Sequence, residues 1–416
     1  MKKSIIIILF ALVALTGQAQ VSSSTALLGS WSGKLKAGPV SLTIVLHLEQ
    51  VDGNVKVSLD SPDQGAKGIS ASKEYLSDDS VAVKVESIGA TYRARLKDGK
   101  LDGTFSQSGM SFPLEMTKGV PEVKRPQMPK APYPYETEEV TFRNEADGAT
   151  LAGTLTWPVG YDKAAKQKPM VLLFVSGSGQ QNRDEELMNH KPFLVIADYL
   201  ARQGIATLRY DDRATGKSVG GDVKDATTKD FADDALAGIE WLRQNKRFKK
   251  VGIIGHSEGG LIAFMLGALD KVDFIVSLAG PAVRGDSLLL EQNKALLGDK
   301  AKGLTIESVR NNVSALQKSW YNFYIDYDPQ PDLARIACPV MAVNGSKDLQ
   351  VVASQNIPAL RRLLTKNGQN VIKEYPDLNH LFQYCQTGMP TEYGQIEETF
   401  SEEVLNDIVE WIQQLY

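Results

Sequence analysis

From Glu138 onward, short apolar runs of strand length alternate with longer stretches of helical character. The runs are Val171–Val175, Ala206–Tyr210, Val251–Gly255, Phe274–Leu278, Val340–Asn344 and Val371–Tyr375. Runs that are apolar on both sides have no face to offer to water, so they must be covered above and below. The predicted class is therefore α/β, a mostly parallel sheet with helices on both faces. Two further strands, Glu139–Asn144 and Thr150–Trp157, flank Asp147-Gly148 and read as an opening hairpin.

The chain before this region has a different period. Leu42, Ile44, Leu46 and Leu48 share one strand face, as do Val81, Val83 and Val85, then Tyr92, Ala94 and Leu96, then Phe112, Leu114 and Met116. Asp52-Gly53-Asn54, Asp98-Gly99 and Asp102-Gly103 supply turns between such runs. Residues 21–119 are predicted to form a small all-β domain, a barrel or a sandwich, and carry no motif for chemistry. His47 lies within one of its strands and is expected to be structural. Residues 120–137 hold five prolines and are predicted to be an extended, semi-rigid linker, leaving 138–416 as the α/β domain.

Residues 1–20 read as an export leader. Met1-Lys2-Lys3 is positive, Ile5–Leu15 is an apolar run of eleven residues, and Gly17-Gln18-Ala19 resembles a cleavage site, with the cut after Ala19 or Gln20. Such a run is short for a membrane span. The expected location is periplasmic or secreted, with no membrane anchor after cleavage; an uncleaved anchor is the alternative. Export would permit a disulfide between the two cysteines, Cys338 and Cys385, although two free thiols fit the sequence as well. The net charge of −4 gives no basic field for nucleic acid. There is no CxxC and no His/Cys cluster, so neither a metal nor another cofactor is implied.

One junction in the α/β region carries chemistry. GHSEGG, Gly255–Gly260, follows the strand Val251–Gly255 and opens an apolar helix over Gly259–Leu269. Gly-x-Ser-x-Gly at a strand-to-helix turn is the nucleophile-elbow pattern, in which Ser257 stands on a tight turn and the helix N-terminus faces the developing negative charge. A serine needs a base. The chain has four histidines. His47 lies in the other region, and the side chain of His256, next to the serine, is expected to point away. His380, after the strand Val371–Tyr375, is preferred over His190, which would cap a helix or line the pocket. Asp348, after the strand Val340–Asn344, is preferred to Asp377 as the carboxylate that orients the imidazole. Oxyanion donors are expected at the backbone of Glu258 and of Ser178, with Gly179 close behind, in the glycine-bearing loop SGSGQQNRDEE. No GK[ST] closes that loop, so the phosphate-loop reading fails. Asp184, Asp211, Asp212 and Arg213 are read as a structural ion-pair and turn network. A helical cap is predicted over about residues 280–338; of its Trp320, Tyr321, Phe323 and Tyr324 about half are expected to line the site, with Trp320 and Tyr324 taken as substrate-binding together with Gly179 and His190.

These residues resemble a known family. Ser176–Glu185, His190–Ser218, Gly255–Gly260 and the Asp348 and His380 segments are similar to the α/β-hydrolase superfamily, and within it to bacterial EstD-type carboxylesterases, over Glu138 to Tyr416. The resemblance implies a serine esterase for short to medium acyl chains with Ser257, Asp348 and His380 as its triad. Where such relatives read DDRGxGKS, this chain has Ala214-Thr215 in place of the glycine-containing pair. The β region also resembles the accessory domain of exported esterases. A small-molecule or carbohydrate acyl ester is the expected substrate, and a homo-oligomer is compatible with the sequence. The alternatives are a serine peptidase of the same fold, for which Glu185-Glu186 could anchor a chain terminus, and a non-catalytic binding protein.

Overall fold

A computed structural model describes residues 26–37, 40–64, 66–120, 124–162, 167–316 and 318–415. The predicted leader lies outside them. The chain divides into two compact units. Strands β1 (Gly29–Ala37), β2 (Val40–Val51), β3 (Asn54–Ser61), β4 (Ala66–Leu76), β5 (Ser80–Val85), β6 (Ala90–Lys97), β7 (Lys100–Gln107) and β8 (Met110–Lys118) make the first. Each pairs antiparallel with its neighbour, and β1 also pairs with β8, which closes a barrel and leaves no open edge. The alternating residues fill it: Leu46, Leu48, Val83, Tyr92, Leu114 and Met116 meet Trp31 and Phe105 inside. Strand β4 is mostly exposed and shows little alternation, which is why the pattern did not reveal it. His47 is held between Ser30 (2.8 Å to Nδ1) and Asp60 (2.9 Å to Nε2), a cross-strand role that needs no catalysis.

The second unit is built on β9 (Thr137–Arg143), β10 (Thr150–Thr156), β11 (Val171–Val175), β12 (Ala206–Tyr210), β13 (Val251–His256), β14 (Ile275–Leu278), β15 (Val340–Gly345) and β16 (Val371–Tyr375). Their order is β16-β15-β14-β13-β11-β12-β10-β9. The hairpin β9–β10 joins β12 antiparallel, and every other pairing is parallel. Helices cover both faces: α1 (Pro192–Arg202), α2 (Thr228–Gln244), α3 (Glu258–Ala268), α4 (Gly285–Leu297), α5 (Ile306–Ser314), α6 (Ser319–Asp326), α7 (Gln330–Leu333), α8 (Ala353–Leu363), α9 (Pro390–Tyr393) and α10 (Glu402–Leu415). Two apolar cores result. Leu173, Ile253 and Ala342 point to the one shared with α2, α3 and α8, and Leu172, Ile254 and Val343 to the one shared with α1 and α10. Helices α4, α5 and α6 form the cap, with Val309, Val313 and Ile325 as a small core of its own.

The proline-rich stretch is fastened rather than free at Arg125 and Gln127. The Arg125 guanidinium donates to the carbonyls of Met188, Asn189, Gly394 and Ile396, and Gln127 bonds the backbone of Thr399 and Phe400.

The aspartates and arginines near the first strands form the expected network. Arg183 bonds Asp211 (2.8 Å), Arg209 pairs with Asp184, and Arg213, 1% exposed, bonds Asp234 (2.7 Å) and Asp147 (2.6 Å). Breaking one partner of such a buried pair costs about 3–5 kcal/mol, because the other charge stays behind unpaired. Ala214, at the glycine position of the similar families, takes φ 53°, a left-handed conformation that glycine adopts with less strain. Cys338 and Cys385 are free thiols. Among the described residues no helix is long and apolar enough to cross a membrane.

Candidate active site

The turn between β13 and α3 is as tight as two glycines can make it. A Cβ on Gly255 would stand 2.0 Å from the Gly259 carbonyl oxygen, and one on Gly259 would stand 2.0 Å from that of Val175. Ser257 between them has φ 54° and ψ −119°, a region that non-glycine residues enter only under constraint. Its amide is tied to the Leu278 carbonyl at 2.8 Å, which helps hold that conformation. The side chain is half-buried and faces a chamber of about 380 Å³ that His380 also lines.

His380 and Asp348 come from loops after adjacent strands, β16 and β15, and meet at 2.8 Å between Nδ1 and Oδ2. Both are nearly inaccessible, at 4% and 2% exposure, so their hydrogen bond is little weakened by water. Asp348 is a saturated acceptor: Oδ1 takes the amides of Gln350 and Val351 (2.8 and 2.9 Å), and Oδ2 also takes the Asn344 side chain (3.1 Å). A carboxylate so bound can only accept from Nδ1–H, which leaves Nε2 of His380 as the basic nitrogen. Asp377 is not a competitor. It is largely exposed and pairs with Lys347 at 2.8 Å.

His256 corrects the expectation that it points away from the chemistry. Its ring lies 4.7 Å from that of His380, Nδ1 meets Glu185 Oε1 at 2.9 Å, and Nε2 donates to the His380 carbonyl at 2.9 Å. Burial disfavours its charged form, but the Glu185 carboxylate and the His380 carbonyl outweigh that and raise its pKa. A protonated His256 donates at both nitrogens and clamps the loop that carries His380. Glu185 also accepts the Gly177 amide at 2.8 Å, so this bracket reaches the loop after β11 as well. The sequence offered one signal for it: a histidine at an apolar strand end must find partners if buried.

Among the described residues, neither the Glu258 amide nor the Ser178 amide bonds another backbone group. The Glu258 side chain, 3% exposed, accepts Thr228 Oγ (2.6 Å), Trp320 Nε1 (2.8 Å) and the Ser178 hydroxyl. Burial raises its pKa. Trp320 and Tyr324 line the chamber, as does Tyr321, whereas Phe323 stacks on Tyr327 outside it. Gly179 lines an adjoining groove instead. His190 corrects a second expectation. It is fully buried, bonded to Thr399 Oγ and the Tyr393 carbonyl at 2.9 Å each, and touches neither cavity; burial lowers its pKa to about 4. It neither caps α1, whose first residue is Pro192, nor meets substrate.

Asp212 accepts Ser176 Oγ (3.1 Å) and the Gln181 amide (2.8 Å) from the loop after β11, and among the described residues it has no ion-pair partner. Burial pushes its pKa up to about 8. The folded state therefore favours the neutral acid. That contribution is complete below the usual carboxyl range near 3.8 and is lost progressively as pH rises to about 8. Asp212→Asn, which stays neutral, should flatten the fall of Tm across that interval; parallel Tm–pH curves for the two proteins would contradict the assignment.

The sheet order, the strained elbow serine and the His–Asp pair behind it define the class: the chain is a serine hydrolase of the α/β-hydrolase fold. Residues 191–322 match the family model described as serine aminopeptidase, S33. Esterase EstD of Thermotoga maritima is 26% identical over 338 residues, which span 76% of this chain and 74% of the relative. An esterase of Pyrococcus furiosus is similar in structure, with a TM-score of 0.46 and 18% identity over 71% of this chain and 98% of its own. Est1E of Butyrivibrio proteoclasticus gives a TM-score of 0.42 and 16% identity over 66% of this chain and 98% of its own.

Proposed function

We propose that this protein is an exported carboxylesterase for short to medium acyl esters, with Ser257, His380 and Asp348 as its triad. The observation that carries the reading is the buried 2.8 Å bond between His380 and Asp348 in a chamber that Ser257 enters from a strained elbow. In the first half-reaction Ser257 Oγ attacks the ester carbonyl while His380 Nε2 takes its proton. The tetrahedral oxyanion accepts hydrogen bonds from the Glu258 and Ser178 amides, and His380 returns the proton to the departing alcohol. Water, deprotonated by the same imidazole, then releases the acid from the acyl-enzyme. Export rests on the leader sequence of residues 1–20.

The S33 description raises a second reading, an aminopeptidase of the same fold. A free amino terminus calls for an available carboxylate. Glu185 lines the chamber but is occupied by His256 and the Gly177 amide, and Glu186 is paired with Lys191. This favours the ester. The test is purified protein on p-nitrophenyl butyrate and on alanyl p-nitroanilide. The ester should be turned over with much the higher kcat/KM; equal or better cleavage of the anilide would sink the esterase reading.

A further inference from the structure

The catalytic chamber has a larger neighbour, a groove of about 730 Å³ that shares Ser178, Trp320 and Tyr321 with it. The wall between them is the indole of Trp320, and it is not a loose flap. Its Nε1 donates to Glu258 at 2.8 Å, one face stacks on Tyr324 (4.9 Å, 18°), and Tyr321 meets it edge-on at 4.7 Å. An ester whose carbonyl sits at Ser257 with the oxyanion at Ser178 therefore has one arm in the inner chamber and room for the other past Trp320.

The two chambers differ in charge. Inside, Glu185 and His256 satisfy each other, as His380 and Asp348 do. The outer groove has an apolar floor of Ala226, Phe231, Trp320 and Tyr321, and the charged groups on its rim are Lys224, Lys318 and Asp225. Asp225 accepts the Ser319 hydroxyl at 3.1 Å. Both lysines are exposed, and among the described residues neither has a carboxylate partner. We infer that this outer groove is a substrate subsite that takes an apolar or aromatic arm of the ester ending in an anionic group. An apolar floor and an unpaired cationic rim match such an arm in both its parts.

This inference rests on the esterase reading and is tested with matched neutral and anionic esters. On the acyl side the pair is p-nitrophenyl hexanoate and the p-nitrophenyl monoester of glutarate. On the alcohol side it is 4-methylphenyl and 4-carboxyphenyl butyrate. In one pair the anionic member should have about tenfold higher kcat/KM, the scale expected of two exposed ion pairs. The preference should shrink with salt and vanish in the double variant K224E/K318E. Hydrolysis of methyl acetate, whose two arms are both too short to pass Trp320, should be unchanged. No preference in either pair, or a preference that survives charge reversal, overturns the subsite; so does an equal loss on the acetate. A second readout does not depend on turnover: 4-butoxybenzoate should bind Ser257→Ala, followed by tryptophan fluorescence, and bind about tenfold more weakly once both lysines are reversed. Binding without any hydrolysis by the unaltered protein would defeat the esterase reading alone, whereas absent binding would defeat the subsite.

Discussion

Ser257→Ala should lower kcat for p-nitrophenyl butyrate by about a million-fold, the scale seen when a triad nucleophile is removed and only oxyanion donors and binding remain. The fold should be untouched, because alanine keeps the backbone strain at φ 54° without adding to it. Ser257→Gly should be equally inactive yet more stable than the alanine variant by about 1 kcal/mol, since glycine occupies that conformation freely. A fluorophosphonate should label the unaltered protein at Ser257 and neither variant. Substantial hydrolysis by pure Ser257→Ala would show that the nucleophile lies elsewhere. Ser30, beside His47 in the barrel, would then be the first serine to examine, as it has a histidine within 2.8 Å.

Asp348→Asn should cost about ten-thousand-fold in kcat, the effect of a wrong tautomer in a triad. The aspartate accepts from His380 Nδ1 and from three other donors. An amide cannot accept all of these. Its NH2 group, turned toward the imidazole, would move the ring proton to Nε2 and leave nothing to receive the serine proton. Asp377→Asn is the control. Its carboxylate meets Lys347 at the surface, where an ion pair contributes about 0–1 kcal/mol, so kcat should stay within about twofold. If the two substitutions had similar effects, or if Asp377→Asn were the damaging one, the order Ser257, Asp348, His380 would have to be abandoned.

Much of the site was legible because its parts depend on local rules. A serine between glycines at a strand end forces the elbow, and a base or acid at the end of its own strand needs only strand order to be placed. Strand boundaries moved by a residue or two, as at β14, which starts at Ile275 rather than Phe274, since helix and strand ends depend on tertiary bonds. Two of the misplaced residues are histidines. His190 and His256 have the same chemistry as His380, and sequence spacing does not reveal which cavity a ring will enter. His190 is taken up by Thr399 and Tyr393, more than two hundred residues away. His256 is taken up by Glu185 and the His380 carbonyl. Strand β4 escaped for a different reason: a strand with little buried surface has no reason to alternate.

The α/β class, the alternating β region before it, the elbow turn at Ser257 and the chain order of the proposed triad residues were all readable from the sequence. Each follows from the period of apolar residues or from the backbone freedom of glycine, and both act between near neighbours in the chain. The closure of the alternating region as a barrel, the bracing of the His380 loop by Glu185 and His256, and the place of Trp320 between two chambers emerge only in the folded chain. Those outcomes rest on hydrogen bonds and packing between segments far apart in sequence, and such partners are chosen by geometry that no local pattern encodes.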